Sequence, residues 1–169
     1  MLNFIKRYIL NRKFFKGING QQLKSYPQSV LKVALVCDAD KEVDANLITK
    51  LKSNLDSNTQ FFIFVLSKKK RNLENAIIVN MKSFNYFGDL KDKSSIKILK
   101  QLDMLIDISE DRSIINQYLL STAYKAYSIS LGNDLERKYN LSINLKEFNQ
   151  ELFGNEIIKY HKILSHANR

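Results

Sequence analysis

The sequence predicts an α/β fold in which a mostly parallel sheet of five or six strands lies between two layers of helices. The first observation is the apolar run from Val33 to Cys37, which stops at Asp38. An apolar run without polar alternation is typical of a strand that is covered on both faces. The second observation is that such runs alternate along the chain with segments in which apolar residues recur at helical spacing. Residues 31–40 therefore predict the first strand, at the centre of the sheet.

Short runs of aliphatic, β-branched and aromatic residues indicate the other strands. Gln60–Leu66 predicts the second strand, and Ala76–Val79 predicts a short third strand. The fourth and fifth strands are predicted at Met104–Ser109 and Tyr127–Gly132. Leu141–Leu145 alternates apolar and polar residues and predicts a sixth strand at an edge of the sheet. The order of the strands in the sheet stays open.

Apolar residues at helical spacing predict a helix in most of the intervals between strands and after the last one. These helices cover residues 47–55, 96–102, 114–122 and 148–164. Asp44 is the expected N-cap of the first helix, and the second is expected to be capped near Ser94. The last helix is expected to be weakened or broken at Gly154, because glycine is a poor helix former. The alternation predicts a Rossmann-like three-layer domain with right-handed crossovers.

Length and composition fit one domain that folds without disulfides. The chain has 169 residues, of which 44% are apolar and 26% charged, so it is neither disordered nor low in complexity. Its single cysteine, Cys37, lies in the predicted central strand and is expected to be a small buried hydrophobe. Basic residues interrupt residues 1–15, and no stretch approaches the length of a membrane span. We expect a cytoplasmic protein with an α/β domain at residues 31–169.

The net charge of +10 is concentrated in two segments. No acid precedes Asp38, and residues 68–71 are all basic. Residues 1–30 and 68–71 together hold ten of the 27 cations, which leaves 17 cations against 17 acids in the rest of the chain. Concentrated charge of this kind attracts anionic surfaces. The expected binding residues are Lys6, Arg7, Arg12, Lys13, Lys16, Lys24, Lys68, Lys69, Lys70 and Arg71.

Residues 1–30 predict a basic amphipathic helix, over residues 2–16, followed by a linker. Phe4, Tyr8 and Phe15 form its expected apolar docking face. Cations that neutralise phosphates and aromatic rings that stack on bases are the mixture found on RNA-binding surfaces. Anionic lipid headgroups favour the same mixture, with the apolar face in the membrane interface. In a third interpretation the lysine-rich loop is only solvated and the N-terminal helix packs on its own domain.

Several segments carry resemblances to known families. They are the basic N-terminal helix, the strand Lys32–Val36, the turn Asn85-Tyr86-Phe87-Gly88, the strand Met104–Ile108 and the helix with Ala123-Tyr124-Lys125-Ala126. Together these segments resemble an uncharacterised family of small Bacteroidetes proteins with a Rossmann-like domain. That resemblance implies a fold and no catalytic residue. The fourth strand and its helix are also similar to the N-terminal half of heptosyltransferase-like glycosyltransferases, whose active site needs a second Rossmann domain that 169 residues do not supply.

The segment Asp38-Ala39-Asp40 is similar to the opening motif of haloacid-dehalogenase-like phosphatases. The resemblance implies a nucleophile at Asp38 and an acid/base at Asp40. It further implies a phosphate contact at Ser67, a charge-neutralising Lys68, and magnesium ligands at Asp107 or Asp111. Glu42 departs from the motif, and no acidic pair completes the magnesium site. In the simpler interpretation Asp40 or Asp44 caps a helix and Asp38 is a solvated residue at a strand end.

Cofactor and metal sites are not expected. The turn after the first strand lacks the glycine-rich patterns of dinucleotide and nucleotide binding. His161 and His166 are five residues apart on a helix and point to different sides, so they predict no metal site. The sequence therefore favours a non-catalytic module that docks on RNA, in a ribonucleoprotein such as the ribosome, without reading DNA sequence. The alternatives are peripheral attachment to the inner face of the membrane and the phosphatase.

Overall fold

Six parallel strands form one sheet at the centre of the protein. The computed structural model describes residues 8–9, 24–41, 43–67, 75–110, 113–132 and 138–167. The strands are β1 (Lys32–Asp38), β2 (Gln60–Leu66), β3 (Ala76–Val79), β4 (Met104–Asp107), β5 (Tyr127–Leu131) and β6 (Leu141–Ile143). Their order in the sheet is β3-β2-β1-β4-β5-β6. The predicted α/β class is confirmed, and this order is that of a Rossmann-like sheet.

Within the described ranges, four helices cover the two faces of the sheet. They are α1 (Ala45–Asn54), α2 (Lys93–Lys100), α3 (Ile114–Thr122) and α4 (Gln150–Ala167). A short 3-10 helix, Met81–Ser83, follows β3. The buried side chains of α1 and α4 pack in one core cluster, and those of α2 and α3 pack in another on the opposite face. The three layers of the predicted architecture are therefore present.

The strand β1 is central, as predicted, because β2 and β4 pair with it on either side. Ala34 and Val36 pack in the core beneath α2 and α3, whereas Val33, Leu35 and Cys37 pack beneath α1 and α4. All five side chains are buried. Burial on both faces explains why the sequence of this strand shows no polar alternation.

All six predicted strands are present, and four of them end earlier than predicted. The strands β1, β4, β5 and β6 end at Asp38, Asp107, Leu131 and Ile143. Beyond β4, the Ile108 N–H still donates to the Val36 carbonyl over 2.9 Å. The prediction that the sixth strand lies at an edge is confirmed.

Side-chain caps define where α1 and α2 begin. The predicted cap Asp44 is confirmed, because its carboxylate accepts from the Asn46 N–H over 2.8 Å. The cap of α2 is Asp92, which lies two residues before Ser94. The cap was expected near Ser94. The Asp92 carboxylate accepts from the hydroxyls and backbone N–H groups of Ser94 and Ser95. These bonds, first those from the Ser95 and Ser94 side chains, lower the pKa of Asp92 to about 2.

The helix α4 is continuous through Gly154, so the predicted weakening or break there is wrong. Its N-terminus is fixed by Asn149, whose side-chain oxygen accepts from the Glu151 N–H over 2.8 Å and from the Leu152 N–H over 3.2 Å. Phe153 and Ile157, on either side of the glycine, are buried against the sheet. Tertiary packing therefore outweighs the low helix propensity of one glycine.

Candidate functional site

The chain reverses its direction across the sheet between β1 and β4, and ligands of open α/β sheets bind at the carboxyl ends of such strands. In this protein the end of β1 is tied to the segment after β4. The Glu110 N–H donates to the Asp38 carboxylate over 2.7 Å, and the Lys41 ammonium pairs with the Glu110 carboxylate. The same ammonium lies 4.9 Å from the centre of the Phe148 ring. Among the described residues, these contacts join the two sides of the crevice.

A buried polar cluster lies below the crevice, around the last residue of β4. The Asp107 carboxylate accepts from the Ser109 hydroxyl over 2.6 Å, from the Asn116 amide over 2.7 Å and from the Tyr139 hydroxyl. All four side chains are buried. Burial raises the pKa of Asp107, and the hydrogen bonds from Ser109, Tyr139 and Asn116 oppose that shift. The cluster joins β4 and α3 to Tyr139, just before β6, and its polar groups bond to one another.

The structure describes some of the residues to which the phosphatase resemblance assigns a role. Asp38 is half-buried and Asp40 is exposed, whereas Asp107 and Ser67 are buried. The Ser67 N–H donates to the Val79 carbonyl over 3.1 Å. Lys68 and Asp111 lie outside the described residues. No group of three or more histidine, cysteine, aspartate or glutamate side chains that could hold a metal ion occurs in the described part of the chain.

Most of the predicted anion-binding residues lie outside the described residues, and so do Phe4 and Phe15. Tyr8, of the predicted docking face, is 61% exposed. The Lys24 ammonium is half-buried and donates to the Ala126 carbonyl over 3.1 Å, and burial lowers its pKa. Lys24 therefore contacts the α/β domain itself. The Nδ1 atom of His161 lies 2.6 Å from the Tyr26 hydroxyl.

A second surface combines exposed aromatic rings with lysines, and it begins with the aromatic turn, which we define as residues 84–90. An antiparallel bridge joins Phe84 to Leu90 and closes the turn at its base. Tyr86 and Phe87 stand at its tip and are 64% and 73% exposed. No other large apolar side chain of the described residues is more exposed than Phe87. Isolated exposed apolar residues are common, but two adjacent aromatic rings at the tip of a turn mark a contact surface.

The sequence around the aromatic turn is rich in lysine. Lys93, Lys97 and Lys100 stand at positions i, i+4 and i+7 of α2, and all three are exposed. We call these three residues the lysine row. The same helix buries Ser95 and Leu99 on its opposite face. Residues 80–100 contain five lysines and two aspartates, and one of the aspartates, Asp92, is the cap of the helix. The exposed face of α2 is therefore cationic.

The two remaining lysines flank the base of the aromatic turn. The Lys91 N–H donates to the Ser83 carbonyl over 2.9 Å, which brings the two ends of the turn together. Lys82, next to Ser83, and Lys91 are both exposed. Cations therefore stand on both chain segments that lead to the tip.

The sequence contained signals for this surface that the search for charge blocks missed. The two longer charge blocks lie elsewhere, and the lysines of α2 are separated by three and two other residues. Only the helical register puts them on one face. Phe84 and Leu90 occupy the core positions of the turn and are 0% and 5% exposed. Tyr86 and Phe87, which lie between them in the chain, are therefore left at the surface. The turn itself was recognised only as part of a family resemblance.

Comparison with known proteins gives a family and no activity. A protein-family model matches residues 6–164, and its description assigns the family no function. Comparisons with curated proteins and with solved structures find no match. Among the described residues, none of the helices has the length and apolar character needed to cross a membrane.

Proposed function

Because the chain belongs to DUF6913, a family of unknown function, we propose a role from its surface: a non-catalytic module that docks on RNA in a ribonucleoprotein such as the ribosome. The observation that carries the proposal is the exposed lysine row on the helix that follows the aromatic turn in the chain. We place the protein in the cytoplasm. The narrower likenesses to Bacteroidetes proteins and to heptosyltransferase-like glycosyltransferases stay predictions.

Electrostatics supports an anionic partner. The lysine row repeats every three to four residues along an exposed helix face, and none of its members is involved in an ion pair between described residues. Lysines without acidic partners attract phosphates, and contacts of this kind dominate sequence-independent binding to nucleic acids. The basic segments at residues 1–30 and 68–71 add further cations to the chain. We expect binding that weakens steeply with salt and shows little sequence preference.

The interior supports a binding module over an enzyme. Among the carboxylates that the structure describes, only Asp107 is buried; it is 3% exposed and accepts hydrogen bonds from three side chains. A general acid or metal ligand must reach its substrate or ion. The phosphatase alternative would show as magnesium-dependent hydrolysis of a generic phosphate ester that Asp38→Asn abolishes.

Peripheral membrane attachment through residues 2–16 is the second candidate, and the 61% exposure of Tyr8 favours it. An aromatic side chain on a basic helix suits the interface of an anionic bilayer. Flotation with anionic vesicles tests this candidate. Deletion of residues 2–16 should abolish flotation while the α/β domain stays folded.

The direct test of RNA docking is the salt dependence of binding to a short labelled single-stranded RNA. Replacement of Lys93, Lys97 and Lys100 by alanine should lower the slope of log K against log salt by about 2, since each phosphate contact contributes about 0.7 on a single strand. A matched variant replaces Lys52, Lys159 and Lys162, which are exposed on α1 and α4. It removes the same charge from the opposite face and should leave the slope near that of the parent protein. An equal fall in both variants, or in neither, would remove the lysine row from the interface.

The cellular setting is tested by purification from native lysate with and without nuclease. Co-migration with large particles that nuclease abolishes is the outcome expected for a ribonucleoprotein component. Co-migration that survives nuclease and is lost in detergent would instead favour the membrane.

A further inference from the structure

We propose that the tip of the aromatic turn, Tyr86 and Phe87, is a stacking site for unpaired bases, so that the RNA bound by this protein is single-stranded at the point of contact. The proposal rests on the proposed RNA docking and adds the class of RNA to it. Phosphate contacts alone do not distinguish single strands from duplexes, because both present a charged backbone. Aromatic rings do distinguish them, because the faces of paired bases are covered within the duplex stack.

The turn holds its tip in one conformation. The Asn85 side-chain oxygen accepts from the Phe87 N–H over 2.9 Å and from the Asp89 N–H over 3.0 Å. The Asn85 N–H also donates to the Asp89 carbonyl over 2.9 Å. Gly88 completes the turn with a φ of 75°, in the left-handed region that favours glycine. Because the backbone is already ordered, a ligand that contacts the tip need not order it on binding.

The core anchors the base of the turn on both sides. Phe84 is fully buried, and its ring meets the ring of Tyr118 edge to face with centres 4.9 Å apart. The Leu90 N–H donates to the Tyr118 hydroxyl over 3.3 Å. Tyr118 belongs to α3, so the turn is attached to the helical layer next to α2. Two aromatic rings are thus held in solvent on a rigid support.

The surrounding charge selects a nucleic acid over an apolar partner. Lys82 and Lys91 flank the base of the turn, and the lysine row begins at Lys93. Two exposed rings with exposed lysines before and after them in the chain suit a strand that presents both bases and phosphates. An apolar protein partner would leave these ammonium groups without counter-charge. We therefore assign the tip to a base and the neighbouring lysines to the phosphates on either side.

The test compares two RNAs of the same sequence, one single-stranded and one in a blunt duplex, binding to the full chain at low salt. Phe87→Ala should weaken binding to the single strand about tenfold and leave duplex binding unchanged. Tyr124→Ala is the matched control, because Tyr124 is 51% exposed and lies at the end of α3. It should change neither affinity. Both positions are exposed, so the thermal unfolding midpoints should stay near that of the parent protein.

A spectroscopic readout identifies stacking directly. The chain contains no tryptophan, so Phe87→Trp introduces a single indole. Stacking on a base should quench its fluorescence when the single strand is added, and Phe87→Trp should retain the affinity that Phe87→Ala loses. Tyr124→Trp provides the control indole and should show little quenching. Equal quenching at both positions, with RNA bound, would overturn the stacking site.

The outcomes separate the two proposals. If lysine-dependent RNA binding occurs but single strand and duplex bind equally well and Phe87→Ala changes neither, the stacking site is wrong and RNA docking stands. If neither RNA binds at low salt, RNA docking fails and the stacking site with it. If anionic vesicles quench the Phe87→Trp indole and RNA does not, the tip contacts lipid and the assignment to bases is overturned.

Discussion

The backbone of Gly154 lies against the side chain of Leu47, so close that a Cβ atom built on the glycine would be 2.8 Å from Leu47 Cδ1. Leu47 is on α1 and Gly154 on α4, and both helices pack on the same face of the sheet. Leu47 is only 2% exposed and so has little room to move away. The glycine is therefore a point of close helix contact, which explains how α4 keeps a poor helix former in its interior.

We expect Gly154→Ala to lower the free energy of unfolding by about 1 kcal/mol. Overpacking a core costs about 1–3 kcal/mol, and the better helix propensity of alanine returns about 1 kcal/mol. Denaturant unfolding measures the net effect. Asn155→Ala, at the next and exposed position of α4, gains helix propensity without the contact and should stabilise by about 0.5 kcal/mol.

A double-mutant cycle checks that Leu47 is the cause. Leu47→Val removes the Cδ atoms and should cost about 1 kcal/mol alone. In the double variant the added methyl group occupies the space that the leucine vacated, so the combined cost should be smaller than the sum of the single costs. Strict additivity would show that Gly154→Ala acts through something other than Leu47.

The sequence was sufficient for the elements whose signal is local. The strand β1 is covered on both faces, so each of its residues from Val33 to Cys37 had to be apolar, and the run was visible without a structure. Asp44 was identified as a cap because the apolar spacing of α1 begins just after it. The cap of α2 is predicted only approximately, near Ser94, because Asp92, Ser94 and Ser95 are all of residue types that cap helices well.

The parts that the sequence did not reveal depend on contacts between distant residues. Asp107 and Tyr139 are 32 positions apart, and only the pairing of β4 with β5, and of β5 with β6, brings them together. The phosphatase resemblance implies only a magnesium ligand at Asp107 or Asp111. The same limit applies to Gly154, whose role depends on Leu47 in another helix. Local propensity does not contain such information.

Loss of the Asp107 carboxylate should destabilise the protein strongly. Asp107→Ala leaves the buried Ser109 hydroxyl, Asn116 amide and Tyr139 hydroxyl without their shared acceptor, at a cost of at least about 3 kcal/mol. Tyr139→Phe removes the hydrogen bonds of the hydroxyl to Asp107 and Asn116 and keeps the ring, and it should cost about 1 kcal/mol. Chemical denaturation of the two variants provides the comparison. Similar small losses in both would mean that the cluster contributes little to stability.

The raised pKa of Asp107 gives stability a pH dependence of known sign. Because the pKa is higher in the folded protein, the folded state holds the proton more tightly. The stability that Asp107 contributes is fully present below its pKa in the unfolded chain, about 3.9, and is lost as pH rises through its pKa in the folded protein. Asp107→Asn does not titrate, so the stability of the variant relative to the parent protein should increase with pH. A difference that stays constant from about pH 4 to about pH 8 would contradict this expectation.

His161 should make the stability of the protein depend on pH in the opposite direction. Burial, and then the charge of Lys162, lower its pKa, and its Nδ1 lies 2.6 Å from the Tyr26 hydroxyl. The stability that neutral His161 contributes is present above its pKa in the unfolded chain, about 6.5, and is lost as pH falls through its pKa in the folded protein. His161→Gln should therefore flatten the fall of the unfolding midpoint on acidification. His166→Gln, at an exposed position of the same helix, is the matched variant and should retain that fall.

Asn85 should control the RNA affinity of the aromatic turn without touching RNA. Asn85→Ala removes the acceptor of the Phe87 and Asp89 N–H groups, so the tip should become mobile and single-stranded RNA binding should weaken severalfold. Asn149→Ala is the control, because it also removes an acceptor of two backbone N–H groups but lies at the start of α4 on the opposite face. Each variant should lose about 1 kcal/mol of stability. If the two lose RNA affinity equally, the effect comes from general destabilisation, and an ordered turn is not required for binding.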